Sequence, residues 1–318
     1  MLNWLNKQRA SDGLVAVCPG PHGIAAARVR RSTGDQPQLV WAEFVGVEPR
    51  SGNRPQALAA LARTHDLATT RATSLLQIGD YSLILVEAPQ VPAAEQAAAV
   101  RWRLKDLVDY SVDEAVVDVF RVPTLKGGKD NMLYAVVARA PLVKSLIDEI
   151  NAAGIALDII DIPEFALRNL TALLPEDVGG VACIHLEEQA GLITITRQRT
   201  LYLSRRFDYG RARLLAGGAR ALTPALEGLL DAIVIEVQRS LDYYESHFAQ
   251  PPVRAVVMTP LGADIEGVCA YLGSQLGIPT RMLRVREVIE TVAELPPRVE
   301  SECMAAIGAA LRGSEAAP

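Results

Sequence analysis

Two stretches of the 318-residue sequence hold residues whose types and spacing could do chemistry. Glu187 and Glu188, beside His185, supply the paired carboxylates that general acid–base work needs. Adjacent side chains on a strand point to opposite faces, so this pair reads as part of a solvated turn. Lys126-Gly127-Gly128-Lys129 has the glycine and lysine content of a phosphate loop. It falls at a hairpin tip with no helix behind it, and also reads as a solvated turn. His185 lies in an apolar run and reads as a hydrogen-bonded core residue, not as a ligand or base. The four histidines (His22, His65, His185, His247) and four cysteines (Cys18, Cys183, Cys269, Cys303) are scattered. Neither set has metal-ligand spacing, and the cysteines read as buried thiols of a reducing compartment. No Gly-x-Ser-x-Gly, Walker A, His-Glu-x-x-His or Cys-x-x-Cys sequence occurs.

The totals narrow the class. Half the residues are hydrophobic, enough for two full cores, and the net charge of −5 with interspersed cations excludes a nucleic-acid face. The longest apolar runs fall far short of a spanning helix, and the N-terminus lacks a signal-peptide core. These features lead us to expect a soluble, cytoplasmic protein. Residues 1–8 are amphipathic and could touch a membrane surface, although one or two helical turns bury little.

The elements that must position these residues begin with two similar meanders. Strands are expected at 14–18, 24–30 and 38–47, and again at 181–186, 191–196 and 201–207, each set separated by turn residues. Helices are expected at 55–65, 92–108, 141–153 and 163–174 in the first half. In the second half they are expected at 224–248, 264–276 and 303–311. Further strands are expected at 83–87, 115–122, 132–139, 155–161, 255–258 and 280–283. The strands at 83–87 and 155–161 read as members of one sheet with helix–hairpin–helix material between them. This predicts a duplicated α/β chain: a first half at 1–175 with an inserted subdomain at about 89–153, and a second half at 176–318.

Three segments carry a family resemblance. Residues 97–118 (AAAVRWRLKDLVDYSVDEAVVD), 144–167 (KSLIDEINAAGIALDIIDIPEFAL) and 236–245 (EVQRSLDYYE) resemble PilM-type actin-like pilus assembly proteins, within them the MSHA biogenesis branch. GspL of type II secretion is a more distant likeness. The resemblance covers nearly the whole chain. It implies the duplicated actin-like fold of actin, Hsp70 and sugar kinases. It also implies a cytoplasmic scaffold peripheral to the inner membrane.

In that fold a nucleotide sits between the halves, held by two glycine-rich hairpins that usually begin Asp-x-Gly. Here the first hairpin reads Cys18-Pro19-Gly20-Pro21-His22-Gly23, without an aspartate and with two prolines that lack an N–H. The second has His185 in the aspartate's place and Glu187 in that of the first glycine. A carboxylate about 4 Å from a phosphate charge is repelled by about 4 kcal/mol at an effective dielectric near 20. The adenosine-contacting turn, 258–262, keeps only Gly262. The expectation is a degenerate cleft near Gly20, Glu187 and Gly262, with no catalytic residue, metal or bound cofactor. The alternative is a nucleotide-binding ATPase in which Mg·ATP closes the cleft and gates partner binding.

For the partner, the resemblance implies a groove beside the inserted subdomain that takes an extended peptide. That peptide is the cytoplasmic N-terminus of a bitopic, PilN-like inner-membrane protein. The pilus assembly ATPase would be a further contact. Arg101, Trp102, Arg103 and Tyr110 are the expected contact residues, because Trp, Tyr and Arg dominate interface energetics. The strand at 115–122 would pair with the peptide edge to edge.

Overall fold

The computed structural model describes residues 14–31, 36–48, 52–123 and 131–312. The first meander consists of β1 (Leu14–Gly20), β2 (Gly23–Arg30) and β3 (Gln38–Gly46). Then come α1 (Arg54–Thr64), β4 (Arg71–Leu75), β5 (Tyr81–Glu87), α2 (Ala93–Arg103) and β6 (Ala115–Arg121). The first half continues with β7 (Met132–Arg139), α3 (Ala140–Ala152), β8 (Ala156–Asp161) and α4 (Pro163–Thr171). The second meander, β9 (Val181–Leu186), β10 (Gly191–Arg197) and β11 (Thr200–Phe207), leads to α5 (Arg211–Leu214) and α6 (Pro224–Phe248). After these come β12 (Ala255–Met258), α7 (Val268–Leu276), β13 (Thr280–Met282), α8 (Val285–Val288), β14 (Glu290–Thr291) and α9 (Pro297–Ala310). The Lys126–Lys129 turn and residues 1–8 lie outside the described residues.

The two large sheets share one plan. Their orders are β14-β3-β2-β1-β4-β8 and β11-β10-β9-β12-β13. In each, an antiparallel meander gains parallel strands on the side of its first member: β4 and β8 beyond β1, β12 and β13 beyond β9. Every residue of β9 is buried, the pattern of a central strand covered on both faces. The likeness extends to packing. Gly23 at the start of β2 lies under the Phe44 ring, and Gly191 at the start of β10 lies under the Phe207 ring. At both places an added Cβ would fall within 2.5 Å of the ring.

Between the sheets lie α4 and α9. Ala166, Leu167 and Leu170 of α4 and Ala306 and Ile307 of α9 share a core with Ala16 and Val29 of the first sheet. The same core takes in Cys183, Leu192 and Val257 of the second sheet. The two helices touch backbone to backbone: a Cβ on Gly308 would sit 2.2 Å from the Ala166 carbonyl oxygen. On the far side of the second sheet, α6 starts on an N-cap, where Leu226 N–H donates to Thr223 Oγ1 (3.3 Å), with Pro224 at its first turn. It buries Leu230, Ile233, Val237, Leu241 and Tyr244 on one face, the spacing of a 3.6-residue turn.

Two features differ from the sequence reading. The strand expected at 83–87 does not join the sheet that holds β8. It begins at Tyr81 and pairs with β7, giving a separate three-stranded sheet of order β5-β7-β6 covered by α2. The neighbour of β8 is β4, a strand not among those expected from the sequence. In addition, β14 pairs with β3 and α9 covers β1 to β3, so part of the 176–318 segment belongs to the first sheet. Among the described residues, no helix is long and apolar enough to cross a membrane.

Candidate functional site

The tips of β1–β2 and β9–β10 face each other across a cavity of about 110 Å³ between the halves. Gly20, Glu187, Glu188, Arg211 and Ser301 are among its walls. Of the three cleft positions singled out from the sequence, Gly20 and Glu187 line this cavity, and Gly262 lies behind its wall, against Ser301. The centre of the cleft is Arg211, 8% exposed at the start of α5. Its Nε donates to Glu188 (3.1 Å), Nη1 to Ser301 Oγ (3.0 Å), and Nη2 pairs with Glu302 (2.7 Å). Sequence reasoning missed Arg211, Ser301 and Glu302. Their partnership spans about ninety residues and leaves no local pattern.

Electrostatics follow from burial. Glu187 is pushed up to about 7, mainly because its ionised form loses water, with the charge of Arg211 opposing and Asp80 assisting. His185 is buried and bonded through Nδ1 to Thr259 Oγ1 (2.9 Å). Burial, helped by the nearby Arg211 charge, lowers it to about 4, so it is a neutral core histidine. Nearby, Glu164 of α4 is 2% exposed and ties three bodies together. It accepts from Tyr81 of β5 (2.5 Å) and from Ser204 of β11 (3.0 Å).

These residues do not fit a magnesium nucleotide. The cavity is smaller than the roughly 300 Å³ at which ligand pockets begin. The one cation among the named wall residues, Arg211, has each of its three guanidinium nitrogens engaged by a protein acceptor. A phosphate chain entering there would meet Glu187, Glu188 and Glu302.

The expected partner residues sit on the three-stranded subdomain, in differing roles. Arg101 Nη1 donates to the Val112 carbonyl (3.2 Å) and Arg103 Nη1 to the Glu87 carbonyl (2.7 Å). Both arginines thus pin α2 and its following loop to the subdomain. Tyr110 lies under the Arg139 guanidinium, 4.1 Å from ring centroid to carbon. Trp102 between the arginines is 68% exposed, and Leu107 follows at 55%. On the sheet beneath, β6 is an edge strand. On the other face of this sheet Leu83, Leu85 and Val136, like Leu142 and Leu146 of α3, are partly buried and pack against the core that includes the second sheet and α6.

No family model matches the chain, and no curated protein does. Solved structures do. A chain of the PilM–PilN type IV pilus biogenesis complex superposes with a TM-score of 0.75 at 17% identity, over 96% of this chain and 100% of that one. This likeness, together with the doubled sheet plan, decides the fold. It is actin-like. Other similar structures include the cytoplasmic domain of EpsL, an inner-membrane component of the Vibrio cholerae type II secretion system (TM-score 0.48, 12% identity, 91% and 93% covered). A Bacteroides thetaiotaomicron protein with an actin-like ATPase fold scores 0.48 at 7% identity, with 91% and 96% covered.

Proposed function

We propose that this chain is a non-catalytic adaptor of a type IV pilus machine of the MSHA type, working in the cytoplasm at the inner-membrane surface. Its three-stranded subdomain takes the cytoplasmic N-terminal segment of a bitopic, PilN-like partner. The pilus assembly ATPase is a second candidate contact. The observation that carries this reading is Trp102: a large aromatic left 68% exposed while both flanking arginines are used to fix its helix. Rigidly held aromatics of this kind act as interface anchors. The β6 edge offers unpaired backbone groups to an extended peptide. The full-length likeness to a chain from a PilM–PilN complex supports the choice of partner.

The test is titration of the purified protein with a synthetic peptide of the PilN-like partner's N-terminal segment. Trp102→Ala is expected to weaken binding by more than about tenfold, the effect of losing an interface anchor. Its Tm should stay at the wild-type value, because the side chain buries little. Unchanged peptide affinity in Trp102→Ala would remove this surface from consideration.

A further inference from the structure

Arg211 and the β9–β10 turn form one unit. The backbone N–H groups of Arg211 and Ala212 donate to the carbonyls of Glu187 (2.8 Å) and Glu188 (3.1 Å), and the Arg211 side chain returns to Glu188. Gly210 makes this closeness possible: a Cβ there would lie 2.2 Å from the Glu188 carbonyl oxygen. The other end of the guanidinium reaches Ser301 and Glu302 of α9, the helix that lies on the first sheet. Ser301 in turn donates to the Pro260 carbonyl (2.8 Å) beyond β12. One side chain therefore spans the cleft, from the second hairpin to the cover of the first sheet.

We propose that Arg211 is a built-in latch that holds the β9–β10 turn against α9 through Glu188, Ser301 and Glu302, in the cleft where the family resemblance would place a nucleotide. This deepens the non-catalytic reading above and rests on it; peptide binding to the subdomain is measured separately and stands or falls by itself. An ion pair removed from the solvent stays favourable only while every partner is present. The loss of one partner should therefore loosen the cleft where the β9–β10 turn meets α9, while the core shared by both sheets keeps the halves together.

The experiment is amide hydrogen exchange on the full-length protein, with calorimetric titration by Mg·ATP in parallel. In Arg211→Met, exchange at positions 211, 212 and 301–306 should quicken by on the order of a hundredfold, as expected for a broken buried pair. Glu302→Gln keeps the shape and loses the charge. It should quicken the same amides by about tenfold, and it serves as the readout if Arg211→Met does not fold. Arg211→Lys, with the charge but not the fork, should restore only part of the protection. Wild type should give no saturable heat with millimolar Mg·ATP. Unchanged exchange in the variants, or saturable nucleotide binding by wild type, would overturn the latch.

Discussion

Among the cleft side chains, Glu187 changes charge near neutrality, and its sign can be worked out. Its folded pKa of about 7 lies above the ordinary 4.5, so the folded state holds the proton more tightly. The stabilisation is complete below about pH 4.5 and disappears as pH rises through about 7. Glu187→Gln should therefore raise the Tm by a few degrees at pH 8 and leave it near wild type at pH 5. A thermal shift series across that range checks it. His185 runs the other way: its lowered pKa contributes stability above 6.5 that is lost as pH falls through about 4. The comparison must hence be made between variant and wild type at each pH. A second residue-scale prediction concerns the β10–β11 turn. Gln198 and Arg199 both have positive φ (49° and 65°), a type I′ pair without the usual Asn-Gly. The turn is held by Asp177, whose carbonyl accepts from Gln198 N–H (2.9 Å) and whose carboxylate accepts from Arg199 N–H (2.7 Å). Arg199→Gly should stabilise by about 0.5–1 kcal/mol in urea unfolding, because glycine adopts this φ without strain. At this scale the sequence was partly legible. His185 could be read as a core residue from its apolar run, whereas Arg211 could not be read at all. Its meaning lies in three partners brought by two distant elements.

Helices were easier to read than sheet membership. The apolar stripe of α6 follows from its own spacing, and both meanders follow from alternation and turn residues. The strand β4 is not legible in the sequence because its five residues, RATSL, bury Thr73 and Ser74 fully, and a short polar-containing run carries no period. The existence of β5 is legible in its apolar run but its sheet is not, since alternation says which face is buried and not which neighbour supplies the hydrogen bonds. Close helix contacts make their own prediction. Gly308→Ala would drive a methyl group into the Ala166 carbonyl, a neighbour that is backbone and cannot rotate aside. A loss of about 1–3 kcal/mol is expected from such overpacking, measured by denaturant unfolding. Ala305→Gly, at a partly buried position of the same helix, serves as the propensity control, at about 1 kcal/mol.

At the scale of the whole molecule, the core between α4 and α9 draws residues from both sheets, and Glu164 joins α4 to β5 and β11. The halves should consequently melt together. Scanning calorimetry of the full chain is expected to give one transition whose calorimetric and van't Hoff enthalpies agree. Two resolved peaks would contradict it. The doubled architecture was foreseeable from the two meanders. The return of the chain to its first sheet was not, because β14 is two residues long and α9 is rich in small residues that suit any close contact.

That return has a consequence for synthesis. The second sheet is drawn from one unbroken stretch ending at Met282, so it can close as soon as that residue leaves the ribosome. The inner face of the first sheet, with Ala16, Ala27 and Val29, is made early and receives α9 last. From β8 to the end of α9 the ribosome adds about 150 residues, roughly 7–30 s at about 5–20 residues per second. Throughout that interval the part of the first sheet that α9 covers has only α4 beside it, and the core shared by both sheets is completed when α9 arrives.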